Sequence, residues 1–175
     1  MTAWWVAAGI AVAVAANGPL RAQSTVGSGN PIALVDSAGK VAARPLNETI
    51  MLVAVGSDVV APASIRPIYG ADGRAASALA TWHSGGSVLF TSPDCTTGAH
   101  VYSSPHPGVR AASQVQAQAG IMLYVGESGP TVTVRIQSIL YDTGCAPVAV
   151  LQNGLLPVVA TLNLTTTYPP PLSFQ

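Results

Sequence analysis

Short clusters of Gly, Pro, Asp, Asn and Ser recur along this sequence at close intervals and separate apolar runs of strand length. The clusters are DSAGK (36–40), VGSD (55–58), GADGR (70–74), HSGG (83–86), SPDCTTG (92–98), SPHPG (104–108), GESGP (126–130), DTG (142–144) and QNG (152–154). They predict turns, because Gly tolerates positive φ and the side chains of Asp and Asn hydrogen-bond to nearby backbone. Turns this frequent are typical of all-β domains. We predict a single-domain antiparallel sandwich or open barrel.

The runs between the turns support this fold class. In TVTVRIQSIL (131–140), three apolar residues alternate with three polar ones, which indicates a strand with one buried face. VVATLNL (158–164) alternates in the same way, whereas IMLVAV (50–55) and IMLYV (121–125) are continuously apolar and are expected deeper in the core. The segment 108–120 is ambiguous because its Ala and Gln residues are also good helix formers. Its alternation favours a strand or a short irregular crossover.

The two ends of the chain differ from this pattern. Residues 1–22 contain an apolar run shorter than the roughly 20 residues that cross a bilayer, followed by small residues. We interpret them as a secretory signal peptide cleaved between Ala22 and Gln23, with a retained anchor or a buried helix as alternatives. Residues 23–175 are then the exported β-rich domain, with a flexible lead-in over 23–31. Its proline-rich end, 166–175, is expected to be an extended strap.

Charge is sparse. Only 8% of the residues are Asp, Glu, Lys or Arg, in equal numbers of each sign, and they are scattered singly. Binding to a phosphate backbone needs a basic patch, so nucleic acid is not an expected partner. We also expect no membrane association after signal cleavage. A nearly neutral surface repels other copies weakly, which favours a protein that assembles or lies on a surface.

The chain has two cysteines, Cys95 and Cys145. In an exported protein the simplest interpretation is one disulfide, since the compartment is oxidising. A zinc site made by both cysteines with His100 and His106 is the alternative, but structural zinc sites usually contain closely spaced ligand pairs and none exists here. Free or intermolecular thiols are the third possibility. We predict the disulfide, and no metal or cofactor.

Three strings have a catalytic appearance. Asp142-Thr143-Gly144 after an apolar run resembles the element that carries the paired aspartates of retroviral-type aspartic proteases, but the resemblance covers these three residues alone. GESGP differs from the Gly-x-Ser-x-Gly nucleophile elbow at Pro130 and precedes a strand instead of a helix. Unordered sets of Ser, His and Asp cannot be distinguished from chance. No catalytic residue is predicted.

Three segments together resemble a loose group of exported bacterial proteins. They are IALVDSAGKV (32–41), GGSVLFTSPDCTTGAHVYSS (85–104) and PPPLSFQ (169–175). That group shares a strand, an Asp-Cys-x-Gly turn and a second strand, and ends in a Pro-Pro strap; here the turn is one residue longer. The resemblance implies a β-rich exported domain, in some relatives attached to stalk-like or tail-fibre-like proteins. It implies no catalytic residue.

These observations favour a non-enzymatic structural or interaction domain that is secreted, periplasmic or at the cell surface, and a candidate subunit of a homo-oligomer. Its expected ligand is a protein or a glycan surface. The first alternative is a glycan-binding module that stacks sugars on Trp82, Tyr102 or Tyr124. All three lie within predicted strands, so packing in the core is the competing interpretation of these residues. The second is a small secreted hydrolase, which requires His83 or His106 beside a carboxylate and a serine in a cleft.

Overall fold

The computed structural model describes residues 32–57, 59–104 and 108–175. The predicted signal peptide (1–22), its cleavage site at Ala22–Gln23 and the lead-in (23–31) lie outside the described residues. The elements are β1 (Leu34–Val35), β2 (Val41–Pro45), β3 (Ile50–Val55), β4 (Val59–Tyr69), β5 (Ala75–Trp82), β6 (Val88–Phe90), β7 (Ala99–Tyr102), β8 (Ala112–Ala117), β9 (Gly120–Gly126), β10 (Val132–Tyr141), β11 (Gly144–Asn163), α1 (Leu164–Thr167) and β12 (Leu172–Phe174). The all-β prediction is confirmed.

The first sheet closes on itself as a six-stranded barrel in the order β1-β12-β5-β4-β3-β2. Its strands alternate, so that Met51, Val53 and Val55 of β3 are buried while Leu52 and Ala54 lie on the outer face. The expectation that IMLVAV is buried as a continuous run is therefore wrong. A barrel wall has one covered face, and the apolar residues at alternate positions remain outside.

The second sheet has the order β10-β6-β7-β11-β9-β8. Strand β11 is twenty residues long and changes partners along its length: it pairs first with β10, then with β7, and finally with β9. The turn predicted at QNG (152–154) is wrong, because these residues lie within β11, where Gln152 pairs with Val134. Strand β10 also pairs with β6, so β6, β7, β10 and β11 form a closed circuit of pairings. The ambiguous segment contains strand β8, which pairs with β9.

The C-terminal segment completes the barrel. Asn163 caps the one-turn helix α1 by accepting a hydrogen bond from the Thr166 backbone N–H. After the Pro170–Pro171 cis peptide, β12 pairs with β1 on one side and with β5 on the other. The predicted extended strap over 166–175 thus begins within a helical turn and ends in a barrel strand. The end of this segment is a strand because β12 lies between β1 and β5 and pairs with both.

Candidate functional site

The disulfide predicted between Cys95 and Cys145 is present, with the two Cα atoms 6.0 Å apart and a sequence separation of 50. The zinc interpretation is wrong, since both sulfur atoms are bonded to each other. His100 is largely buried, and its Nδ1 lies 2.8 Å from the Gly98 carbonyl oxygen. His106 lies outside the described residues. In the part of the chain that the structure describes, no group of His, Cys, Asp or Glu could hold a metal ion.

The loop that carries Cys95, residues 91–98, is held by a buried hydroxyl from β10. Ser138 has no exposed surface; its Oγ accepts a hydrogen bond from the Cys95 N–H at 3.0 Å and donates one to the Ser92 carbonyl at 2.6 Å. Within the loop, the Ser92 hydroxyl accepts from the N–H groups of Thr96 and Thr97. Because these bonds satisfy the turn backbone, the loop holds a defined shape at the end of the second sheet.

Two carboxylates lie close in sequence to the bridged cysteines: Asp94 directly precedes Cys95, and Asp142 lies three residues before Cys145. Asp94 is exposed; hydrogen bonds from the side chains of Thr96 and Ser92 hold the pKa of its carboxyl below the ordinary value. Asp142, in the two-residue turn of the β10–β11 hairpin, accepts the Gln116 N–H at 2.7 Å. We call the exposed residues Pro93, Asp94, Tyr141 and Asp142 the acidic tip. The protease-like string at Asp142 is thus the turn of a hairpin.

The three aromatic candidates for sugar stacking occupy different environments. Trp82 is 1% exposed and its indole packs against Tyr168 in the barrel core, so it offers no stacking surface and is removed as a ligand-binding candidate. Tyr124 is half-buried in the second sheet, and burial raises the pKa of its phenol. Tyr102 is 49% exposed at the end of β7. Only Tyr102 of the three presents a large part of its ring to solvent.

His83 lies in a groove of about 370 Å³ where β3 and β4 of the barrel meet β8 of the second sheet. Ser84 and Ser113 line the same groove, and the Ser113 hydroxyl donates to the Ser87 carbonyl at 2.8 Å. The groove therefore brings together two of the three group types that the hydrolase interpretation requires. No carboxylate is among the described residues that line it.

The floor of this groove also joins the barrel to the second sheet. The buried side chain of Gln114 accepts a hydrogen bond from the Ser64 N–H and donates one to the Ser64 carbonyl. A single carboxamide thus bonds to both backbone groups of one β4 residue. The Gln114 backbone carbonyl in turn accepts the Gly86 N–H at 2.9 Å. The oxygen and the nitrogen of this carboxamide are thus each engaged in a structural hydrogen bond.

A second groove, of about 460 Å³, lies on the outer face of the barrel between β2 and the β3–β4 hairpin. It exists because β2 and β3 pair only at Arg44–Leu52 and Pro45–Met51, so the rest of β2 diverges from β3. The lining is Val41, Ala42, Ala43, Arg44, Leu52, Ala54, Val60 and Tyr168. We call it the barrel groove. Our sequence reasoning missed it, although the continuously apolar run IMLVAV was the signal that both faces of β3 are apolar.

Among residues 32–57, 59–104 and 108–175 there is no helix with the length and apolar character needed to span a bilayer. No protein-family model matches this chain, and neither a curated protein nor a solved structure matches it at a significant level.

Proposed function

We propose that the mature chain is a non-enzymatic structural or interaction domain, exported or held at the cell surface, that associates with further copies of itself. The main support for this proposal is the exposure of large apolar side chains on the outer surface. Leu151 on β11 is 74% exposed, and Tyr69 and Val41 on the barrel are 63% and 57% exposed. Exposed apolar surface is typical of protein-binding faces, and these side chains supply it on both sheets.

The distribution of charge supports self-association. The formal net charge is zero, so two copies do not repel each other over long distances. From Thr143 to Gln175 the chain contains no charged residue at all, and this stretch includes the whole of β11 and β12. The apolar residues on the outer faces of these strands are therefore not interrupted by charged groups. Such charges usually keep the edge strands and sheet faces of different molecules apart.

The proposed export rests on two observations. The N-terminal 22 residues have the order of a signal peptide, and the Cys95–Cys145 disulfide is compatible with an oxidising compartment. The disulfide closes a 50-residue loop, which in the chain-entropy model stabilises the fold by about 4 kcal/mol. A domain that depends on this bond is suited to the periplasm or the exterior of the cell.

The test is to express the full chain in a bacterium, recover the protein from the periplasm, and measure its mass by sedimentation velocity over a range of concentrations. Denaturing mass spectrometry of the same sample identifies the N-terminal residue. We expect a chain that begins at Gln23 and an average mass that rises with concentration. A chain that stays monomeric at every concentration contradicts self-association, and an uncleaved chain contradicts the proposed export.

Glycan binding is the second candidate, and the exposure of Tyr102 favours it. An aromatic ring with one free face can stack on the apolar face of a sugar. The test is a glycan array with the wild type, Tyr102→Ala and, as a control for exposed tyrosines, Tyr69→Ala. Binding lost in the first variant and kept in the second supports this candidate. No binding by the wild type removes it.

A further inference from the structure

We infer that the copies associate head to tail, with the acidic tip of one copy docked into the barrel groove of the next. The inference rests on the proposed self-association and specifies which two surfaces meet. The opposite charges of these two surfaces, both of which are otherwise apolar, support it.

The barrel groove combines an apolar lining that includes one cation, Arg44, with a second cation, Lys40, beside it. Val41 and Val60 are 57% and 48% exposed on either side of it, and Leu52 lies between them on the outer face of β3. Arg44 is exposed and lines the groove. The Lys40 ammonium lies 4.5 Å from the centroid of the Tyr168 ring, which is part of the groove lining.

No described residue that lines this groove is acidic. Asp36, in the β1–β2 turn, is buried, and one of its carboxylate oxygens accepts the N–H groups of Ala38 and Lys40. Asp58, which belongs to the segment between β3 and β4, lies outside the described residues. Among the described residues, the lining carries one cation, Arg44, and Lys40 adds a second over the Tyr168 ring. A partner for this groove should therefore be apolar with negative charge.

The acidic tip has this character. Asp94 and Asp142 are both exposed, and the exposed segments 93–94 and 141–145 contain no Lys or Arg. Pro93 and Tyr141, the latter 41% exposed, supply apolar surface beside the carboxylates. The disulfide and the Ser138 hydrogen bonds hold this surface in one conformation, which reduces the entropy lost on docking.

The complementarity of charge sets the geometry of the assembly. A two-fold contact centred on one of these surfaces would place tip against tip or groove against groove, and like charges would then face each other. A contact between tip and groove pairs two carboxylates with two cations. Since each copy has one tip and one groove, this heterologous contact adds copies in a line or in a closed ring. We expect association to weaken as the ionic strength rises, because salt screens the exposed charges of this pairing.

The experiment uses three variants of the disulfide-bonded protein in which charged side chains are replaced by neutral amides. The groove variant is Lys40→Gln with Arg44→Gln. The tip variant is Asp94→Asn with Asp142→Asn, in which each Asn keeps the oxygen that accepts the structural hydrogen bonds. The control variant is Asp72→Asn with Arg74→Gln, which removes one charge of each sign from the exposed turn between β4 and β5. Urea unfolding checks that each variant is folded.

Sedimentation velocity on the separate and mixed variants tests the geometry. We expect the control to assemble like the wild type, and the groove and tip variants to associate about tenfold or more weakly. An equimolar mixture of the groove and tip variants should form a one-to-one dimer and nothing larger, because it contains one intact tip and one intact groove per pair. A crosslink between Val41→Cys and Thr143→Cys copies, formed through a bifunctional reagent, gives an independent readout: its formation supports the contact and its absence overturns it.

The outcomes separate the two proposals. A wild type that assembles while the groove and tip variants assemble equally well overturns the head-to-tail inference and leaves self-association standing. A mixture that stays monomeric also overturns it. A wild type that is monomeric at every concentration overturns self-association itself.

Discussion

The indole Nε1 of Trp82 donates a 3.0 Å hydrogen bond to the backbone carbonyl oxygen of Tyr168, 86 residues later in the chain. The two rings also contact each other, with centroids 6.4 Å apart. Trp82 ends β5, and Tyr168 directly follows α1. The bond therefore ties the C-terminal segment, which completes the barrel through β12, to the barrel wall.

Trp82→Phe keeps most of the apolar volume but removes the donor for the buried Tyr168 carbonyl. We expect the free energy of unfolding to fall by about 2–3 kcal/mol, from the unpaired acceptor and the small cavity together. Urea unfolding followed by circular dichroism measures this. Tyr69→Phe, at an exposed position, should stay within about 0.5 kcal/mol of the wild type. Equal losses in the two variants would contradict the role of this bond.

Cys95→Ala with Cys145→Ala removes the cross-link over 50 residues. We expect a loss of about 4 kcal/mol in the free energy of unfolding, because the unfolded chain regains its freedom. Guanidinium unfolding with and without dithiothreitol provides the check: the reductant should destabilise the wild type and leave the variant unchanged. Coinciding transitions for wild type and variant would show that the disulfide contributes nothing.

Ser138→Ala leaves the Cys95 N–H and the Ser92 carbonyl without their buried partner. We expect a loss of about 2 kcal/mol, compared with almost none for Ser128→Ala at an exposed turn. Ser138 and the disulfide restrain the same loop, so combining this change with the double cysteine variant should cost less than the sum of the two losses. A strictly additive result in a double-mutant cycle would argue against a shared restraint.

Gln114→Leu preserves size but removes the carboxamide that bonds the Ser64 backbone. We expect a loss of about 1–3 kcal/mol, because the Ser64 N–H loses its partner. Hydrogen exchange measured by NMR should show faster exchange of the Ser64 amide than in the wild type. Gln116→Leu, at an exposed position of the same strand, is the matched control. Unchanged exchange at Ser64 would show that the barrel and the second sheet are joined mainly by other contacts.

Asp94 makes the stability of the loop depend on acid. In the folded state, hydrogen bonds from the side chains of Thr96 and, to a smaller extent, Ser92 lower the pKa of this carboxyl below its ordinary value of 3.8. The resulting stabilisation is complete above pH 3.8, the ordinary pKa of the group, and is lost as the pH falls through the lower pKa of the folded state. Asp94→Asn should lack this acid-dependent decrease, which thermal unfolding of both proteins at a series of pH values detects. Parallel plots of melting temperature against pH for the two proteins would contradict this role of Asp94. The effect is small because the group is exposed.

The sequence was sufficient for features that depend on neighbouring residues. Turn clusters and two-residue alternation predicted the all-β class and most strands, including β8 within an ambiguous segment. The pairing of Cys95 with Cys145 followed from their number and from the expected compartment. Each of these inferences needs only local backbone preferences or simple counting, which is why they could be made before any contact was known.

Other features depended on contacts between distant parts of the chain. Alternation shows that Met51 and Val53 share a face, and that Leu52 and Ala54 share the other, but it does not show which face the rest of the protein covers. The same limit applied to Trp82, whose burial required Tyr168 to lie above it.

The sequence by itself determined the all-β class, most of the turns and the disulfide. The tertiary structure alone decided that β12 closes the barrel, that β11 serves three partners, and that β2 diverges from β3 to open the barrel groove. Strand periodicity is a property of the local backbone, whereas strand order and sheet closure arise from the sum of many long-range contacts. The candidate binding surfaces belong to the second group, because a groove is formed by residues that meet only when the barrel closes.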